Sequence, residues 1–499
     1  MDAENKAGNS TQKETVLPPY APETVKREKI VFKRRDWIDL AVSLGLGVYP
    51  ALAFSLRTLF NSPNLPGIGS ALFFLAALAA GVCAIGKKGH WNQSSLLVLA
   101  SGAICALTLG VWSYFPMRAL NHLAAFLLIA LGLLSASGTN RFSLTQAGML
   151  CESFVNIFSV SFSHVFKPFS ALSGTASGKR RTLLGIVIGF AVALPLLALV
   201  IGLLSSADAA FSAFLQRMFA NMQDLDLGSV LWHGMRVVFF TLVFFSIFYA
   251  LRHPKNVRRH MVSEISIPAS LTGTVLVLLN LIYGVFFSVQ LSTLFGTAQT
   301  AAAQGGYAEY ARTGFFQLVA VSAINLAALL AAGCVSREHR GVRVFSVVLC
   351  AQTAVLLASA VWRMCLYIGA YGLSFLRLAT FFIMAAIACA LILCIVKSIR
   401  PDFKVFPVLA AFVLVLWVGF SVLDTSRIVA AYNVDAYLDG RCETIDVDYL
   451  ASLSPSVVPV LQRLADAGNS DAADAIAHMA QPEYRLYLWS VDRLTLESE

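Results

Sequence analysis

Five basic side chains lie within or beside long apolar runs of the sequence: Arg57, His233, Arg236, Arg312 and Arg363. A guanidinium group forms paired hydrogen bonds with phosphate or carboxylate and keeps its charge at every physiological pH. Placing such a group among apolar residues is costly unless it faces a cavity or a partner. The five residues therefore predict an anion-binding pocket in which Arg236 and Arg363 hold the anionic group.

Two acidic residues, Glu309 and Asp208, offer a structural alternative to this pocket. Glu309 lies three residues before Arg312, so the two side chains share one face of a helix. In this interpretation Glu309 and Asp208 pair with the arginines and fix the helix bundle, while Arg57 extends its charge to the membrane surface. The sequence leaves both interpretations open.

No motif in the chain points to catalysis, a metal or a cofactor. The residues from Gly81 to Lys88 imitate a phosphate-binding loop up to the last position, where Ser or Thr is needed and Lys88 stands. The nine cysteines form no CxxC pair and no His/Cys cluster, which disfavours a zinc site or a disulfide framework. No Asp or Glu lies near the centre of an apolar run, which disfavours proton-coupled transport. We predict no catalytic residue, no metal and no cofactor.

The composition indicates that most of the chain is surrounded by lipid. Of 499 residues, 58% are hydrophobic and 13% are charged, whereas soluble domains carry about 25% charged residues. The net charge of +9 comes from basic residues in short segments between the apolar runs. That pattern is typical of membrane topology rather than of nucleic-acid binding. The lipid bilayer is therefore a predicted partner, and nucleic acid is not.

The apolar runs predict an all-α, polytopic integral membrane bundle of about eleven transmembrane helices with a small helical extracytoplasmic C-terminal domain. The basic segments place the amino terminus in the cytoplasm and the carboxyl terminus outside. Residues 1–35 form a disordered basic tail, 36–424 the transmembrane domain and 425–499 an acidic helical domain. The predicted spans are residues 37–60, 70–86, 95–115, 119–136, 182–204, 229–250, 266–292, 315–334, 344–366, 378–396 and 405–424.

Two segments depart from the pattern of apolar runs. In residues 142–172, phenylalanines recur every four residues at Phe154, Phe158, Phe162 and Phe166, which makes one aromatic stripe on a helix. This helix either lies flat on the cytoplasmic surface of the bilayer or packs under the bundle. Residues 425–499 hold 12 acidic residues and 5 arginines. They predict a helical cap that is too small for a large core of its own and docks on the bundle.

Four blocks of the sequence occur in an order that resembles a known family. They are LLSSADAAF at 203–211, YAEYARTGFFQLVAVSAINL at 307–326, WRMCLYIGAYGLSFLR at 362–377, and NVDAYLDG followed by DVDYLASLSPSVVPVL at 433–461. The chain resembles bacterial polytopic membrane proteins with a domain of unknown function, of the DUF4153/DUF4173 type, over roughly residues 180–465. The resemblance implies a bacterial inner-membrane protein with a multi-helix bundle. It implies no particular activity, because none is established for the family.

Three classes of function remain. The preferred one is a non-catalytic envelope protein that senses or scaffolds through its outer cap, with a protein partner at residues 425–499. The second is a transporter or binder of an anionic solute or lipid through the outward-facing arginine pocket. The third is a membrane-embedded transferase. The span count resembles that of lipid-linked glycosyltransferases, but their acidic residue in the first outer loop is missing from NSPNLPGIGS at 61–70.

Overall fold

The structure, a computed structural model, describes residues 32–53, 67–140, 142–144, 146, 148–169, 227–254, 269–294, 307–335 and 340–479, with six further positions between 200 and 214. For residues 227–231, 290–294, 307–314, 331 and 333–335 it describes the backbone alone. The predicted basic tail therefore lies outside the described residues up to position 31.

All regular structure in these ranges is helical, as expected where lipid cannot satisfy backbone polar groups. The helices are α1 (Arg34–Ala53), α2 (Ile68–Ile85), α3 (Gln93–Val111), α4 (Phe115–Ser137), α5 (Gly148–Phe162), α6 (Leu227–Arg252), α7 (Ala269–Leu294), α8 (Tyr307–Val335), α9 (Arg340–Tyr371), α10 (Phe375–Ile399), α11 (Val405–Val422), α12 (Thr425–Leu438), α13 (Val447–Ala451), α14 (Val458–Asp466) and α15 (Ser470–Met479). The prediction of an all-α fold is confirmed.

Among the described residues, nine helices are long and apolar enough to cross a membrane. They are Ile68–Lys88, Gln93–Val111, Phe115–Ser137, Gly148–Phe169, Trp232–Arg252, Ser270–Val289, Arg340–Tyr371, Phe375–Ile399 and Val405–Val422. All but Gly148–Phe169 overlap a predicted span. The predicted span 315–334 falls in α8, which contains the shorter apolar helix Phe315–Leu330. The span 182–204 lies almost wholly outside the described residues, so the polytopic bundle is confirmed and the count of eleven stays a prediction.

Contacts between helix termini define two ends of the bundle. Arg252, the last residue of α6, forms an ion pair with Asp36 in the first turn of α1, at 2.9 Å. Arg35 Nη2 donates to the carbonyl oxygen of Cys83 near the end of α2, at 2.5 Å. The start of α1 therefore lies beside the ends of α2 and α6. We call this the basic end.

The opposite end of the bundle carries the carboxyl-terminal helices, and we call it the cap end. The ring of Tyr114, just before α4, lies 5.0 Å from the ring of Phe375, the first residue of α10. Both helices therefore start at the cap end and run toward the basic end. Connectivity then places these described cations at the basic end: Lys33, Arg34, Arg35, Lys87, Lys88, Arg252, Arg340, Arg343, Lys397, Arg400 and Lys404.

The helices of the bundle form two groups, each around its own apolar core. Helices α1 to α6 pack around residues such as Leu109 and Phe248, and helices α7 to α11 pack around residues such as Leu356. The second core continues without a break into the cap. The groups meet where α11 packs on α3. Near this contact, Ser421 Oγ on α11 donates to Asn121 Oδ1 on α4 at 2.9 Å, and both residues are buried.

Helix α5 lies across the basic end although its length and composition would allow it to span. Asn140, just after α4, donates from Nδ2 to Ser153 Oγ at 2.7 Å. Beyond α5, the N–H of His164 donates to Ser246 Oγ at 2.9 Å, and Lys167 Nζ lies 3.9 Å from the ring centroid of Tyr249. These contacts all fall on the half of α4 and α6 nearest the basic end, so the segment does not run the length of the bundle.

The aromatic stripe predicted on this segment faces away from the bundle. The exposed fractions of its phenylalanines are 63% at Phe154, 55% at Phe158, 53% at Phe162 and 77% at Phe166. The exposure favours the predicted helix that lies flat over the one buried as core, because the apolar stripe is turned outward.

Candidate functional site

Arg236 lies within α6, one turn after His233, and both side chains are half-buried. Arg236 Nη2 donates a hydrogen bond to the carbonyl oxygen of Pro50 at 3.0 Å. Pro50 is the proline inside α1. The contact gives Arg236 a structural role, because it joins α6 to α1.

Arg363 lies in the other helix group. It is on α9, about two turns before that helix ends at Tyr371, and α9 packs on α7, α8 and α10. Arg236 instead belongs to α6, which packs mainly on α1, α2 and α5. A single pocket that holds an anion between Arg236 and Arg363 stays a prediction.

The other predicted pocket residues are described only in part. Glu309 and Arg312 lie on α8, which confirms that they share a helix, but their side chains are outside the described residues. Arg57 is outside them entirely. Asp208 is exposed, and its Oδ1 accepts a hydrogen bond from the N–H of Ala210 at 2.8 Å. Pairing of Glu309 and Asp208 with the arginines stays a prediction as well.

The cap is clamped to the loop between α9 and α10 by one asparagine. Asn433 Oδ1 accepts from the N–H of Leu373 at 2.7 Å, and Asn433 Nδ2 donates to the carbonyl oxygen of Leu373 at 2.8 Å. The preceding residue, Gly372, has a φ of 72°, and a Cβ there would collide with Asn433 Oδ1. Both the backbone angle and the close approach therefore require glycine.

A second set of contacts joins the cap to both helix groups. The hydroxyl of Tyr449 on α13 accepts a hydrogen bond from the N–H of Phe375 at 3.0 Å. The ring of Phe375 packs on Tyr114, which belongs to the first helix group. Burial, and then the neighbouring Tyr449, raises the pKa of Tyr114, so its hydroxyl stays neutral. We call the place where residues 112–114 and 372–375 meet the cap the cap junction.

A cavity of about 640 Å³ opens beside the cap junction. One wall is the loop 369–374 with Arg377, and the other is the cap segment 441–446 with Asn433, Tyr449 and Leu450. Sites for small molecules have volumes of about 300 to 1,000 Å³. The cavity therefore has room for a small molecule that touches the membrane domain and the cap at the same time.

Charges of both signs line this cavity. Arg377 Nη1 donates to the carbonyl oxygens of Tyr371, at 2.8 Å, and Gly372. Since a guanidinium has five N–H donors, others remain for a solute. Arg441, Glu443 and Asp446 are exposed on the cap side, where Arg441 pairs with Asp439 at 2.9 Å and Asp446 Oδ1 accepts from the N–H of Tyr449 at 2.9 Å. Among the described side chains, no group of three or more His, Cys, Asp or Glu could hold a metal ion.

Comparison with protein families matches residues 96–464 to a family described as a domain of unknown function (DUF4153). The chain belongs to this family. The resemblance inferred from the sequence is confirmed, and the matched region begins well before the expected residue 180, in α3. No curated protein and no solved structure was found to match the chain.

In this DUF4153 protein, two of the blocks that carry the resemblance meet at the cavity. The end of WRMCLYIGAYGLSFLR supplies Gly372, Leu373 and Arg377, and the tail blocks supply Asn433, Asp446 and Tyr449. Sequence reasoning missed this site because Leu373 and Asn433 are 60 residues apart and no spacing rule pairs them. A signal was present: Gly372 stands in the short break between two apolar runs, and a glycine at such a break marks a backbone that another group approaches closely.

Proposed function

We propose that the protein is a non-catalytic membrane protein that senses a small polar solute at the cap junction, with the cap outside the cytoplasmic membrane. The observation that carries the proposal is the cavity whose two walls belong to the cap and to the loop between α9 and α10. A solute that touches both walls binds most tightly when the cap lies at one particular distance from the loop. Its binding energy therefore shifts the cap toward that position.

A route exists from the cap into the membrane domain. Asp424, between α11 and α12, accepts hydrogen bonds from the N–H of Arg427 and from Ser456 Oγ, both at 3.0 Å. Three residues earlier, Ser421 contacts Asn121 in the first helix group. Displacement of the cap would therefore move α11 and strain its hydrogen bond with Asn121 on α4.

The lining favours a solute that carries both charges, such as a free amino acid or a short peptide. Arg377 and Arg441 suit a carboxylate, while Glu443 and Asp446 suit an ammonium group. Sensing is favoured over catalysis because Arg377 and Asp446 already have structural tasks: Arg377 holds the end of α9, and Asp446 caps α13.

The orientation rests on the charges at the two ends. Among the described residues, the cations at the basic end outnumber those at the cap end, and segments rich in basic residues are retained in the cytoplasm. The cap, which is acidic, then faces the outside and meets solutes of the envelope.

The thiol of Cys442, which lines the cavity and is half-buried, reports on occupancy. We would measure the maleimide labelling rate of Cys442 in the purified full-length protein while adding amino acids and dipeptides one at a time. Sensing predicts that at least one of them slows labelling in a saturable way. Failure of the whole panel to protect Cys442 would contradict the zwitterionic solute.

A pair of variants separates binding in the cavity from a general effect of charge. Glu443 lines the cavity, whereas Asp448 is exposed on the adjoining helix α13 and is not part of the lining. We expect Glu443→Gln to weaken protection by about tenfold, the usual value of one charge-assisted hydrogen bond, and Asp448→Asn to leave it unchanged. Equal effects of the two substitutions would show that the solute does not bind where proposed.

A further inference from the structure

A second cavity, of about 470 Å³, lies at the basic end between α1 and α2. We call it the basic-end crevice. Its mouth carries Arg34 and Arg35. Below the mouth the walls are mainly apolar and are formed by Ile38, Val42, Ala80, Ala84 and Phe248. A positively charged rim therefore stands above an apolar slot that opens toward the surroundings of the bundle.

The charges of the crevice leave a cation for a ligand. Asp39 is the acidic residue of the lining, and it forms an ion pair with Arg252, which also pairs with Asp36. Arg35 is held by its hydrogen bond to the carbonyl oxygen of Cys83. Arg34 is exposed and has no hydrogen bond or ion pair with any described residue. The rim thus keeps its positive charge while the acid of the lining is already paired.

The spacing of the lining residues matches an extended molecule with one charged end. Arg34, Ile38 and Val42 follow one another every four residues and so form one stripe on α1. At about 1.5 Å per residue, this stripe extends roughly 12 Å into the membrane. Ile38 is 52% exposed and Val42 is 39% exposed, so the stripe remains open to a partner.

We propose that the basic-end crevice binds one anionic phospholipid, with its phosphate on Arg34 and Arg35 and one acyl chain along Ile38, Val42 and Ala80. The charged rim accounts for the phosphate, and the apolar walls account for the chain. A free phosphate ion would use the rim alone. Lipid is also the molecule that surrounds α1 and α2 at this depth, whereas a soluble peptide would have to displace it.

The test is native mass spectrometry of the purified full-length protein with added phosphatidylglycerol or phosphatidylcholine. Arg34→Gln removes the rim cation that bonds to no other described residue. Lys87→Gln is the matched control, since Lys87 is an exposed cation at the same end but outside the lining. We expect the wild type to retain phosphatidylglycerol over phosphatidylcholine, Arg34→Gln to bind it about tenfold more weakly, and Lys87→Gln to bind it as the wild type does.

A second variant tests the apolar slot with every charge intact. Ala80→Phe fills the crevice from α2, where Ala80 is half-buried, and should also displace the bound phosphatidylglycerol. Glycerol 3-phosphate, which has the same charged group without chains, should not compete. Equal loss in Arg34→Gln and Lys87→Gln would show diffuse attraction to the basic end and overturn the proposal. Unchanged binding in Ala80→Phe, or competition by glycerol 3-phosphate, would equally exclude a lipid seated in the slot.

Discussion

At the scale of single residues, the side chains of Asn121, Asn325 and Asn433 each connect separate parts of this molecule. Asn121 joins α4 to Thr108 and Ser421, and Asn325 joins α8 to Tyr283 and Thr353. Asn433 joins the cap to Leu373. Where water is excluded, an amide that both donates and accepts can satisfy two partners at once and fixes how helices align.

Asn433 offers the clearest test at this scale. Asn433→Leu removes both hydrogen bonds and leaves the N–H and carbonyl of Leu373 without their side-chain partner, which costs about 1 to 3 kcal/mol. We expect the cap to separate more often from the loop, so that maleimide labels Cys442 several times faster. The measurement is the labelling rate of Cys442 in detergent solution.

Asn433→Asp is the matched control for this prediction. It keeps the acceptor for the N–H of Leu373 and loses the donor to its carbonyl. Its labelling rate should therefore lie between those of the wild type and Asn433→Leu. A rate in Asn433→Leu equal to that of the wild type would mean that the clamp does not hold the cap.

At the scale of elements, the ion cluster of Asp36, Asp39 and Arg252 joins the first helix to the sixth. The side chains of these residues are between 10% and 14% exposed. Arg252→Leu would leave two buried carboxylates without their cation, at a cost of about 3 to 5 kcal/mol. We expect a clearly lower midpoint of thermal unfolding, followed by intrinsic fluorescence in detergent.

Neutralising the whole cluster is the control for this effect. The triple variant Asp36→Asn, Asp39→Asn and Arg252→Gln contains no buried charge and should recover most of the lost stability. If Arg252→Leu unfolded at the wild-type temperature, the cluster would not be what joins α1 and α6.

Helix α5 shows what the sequence can and cannot predict about an element. The four-residue repeat of phenylalanine predicts a helix with an apolar stripe, and the structure confirms both. By length and composition alone, the segment Gly148–Phe169 would also qualify as a membrane span. Only the contacts with Ser246 and Tyr249 separate the two interpretations, and such contacts depend on tertiary packing that periodicity does not encode.

The candidate site was less predictable than the helices. Apolar runs predict membrane helices reliably because lipid requires every span to satisfy its own backbone hydrogen bonds. The cap junction instead depends on Gly372 meeting Asn433 and on Tyr449 meeting Phe375, each a pairing across many residues of sequence. The sequence shows the charge of Arg236 within an apolar run. It does not show that the guanidinium donates to the carbonyl oxygen of Pro50, because a backbone acceptor has no residue type that a pattern could reveal.

At the scale of the whole molecule, the separation of a basic end from a cap end gives a prediction about orientation. Cys442 lies in the cap, and Cys151 is exposed on α5 at the basic end. In intact spheroplasts, an impermeant maleimide should label a variant that keeps only Cys442 and spare one that keeps only Cys151. After lysis both should react. The reverse order of labelling would contradict a cytoplasmic basic end.

The ion pair between Asp36 and Arg252 also sets an order of events during synthesis. Its partners are 216 residues apart in the chain, and a chain is made from its amino terminus. Helix α1 therefore leaves the ribosome with two carboxylates that cannot meet Arg252 until α6 has been made. The first helix group can close only after α6 has been made, so its assembly depends on a residue that lies past the middle of the chain.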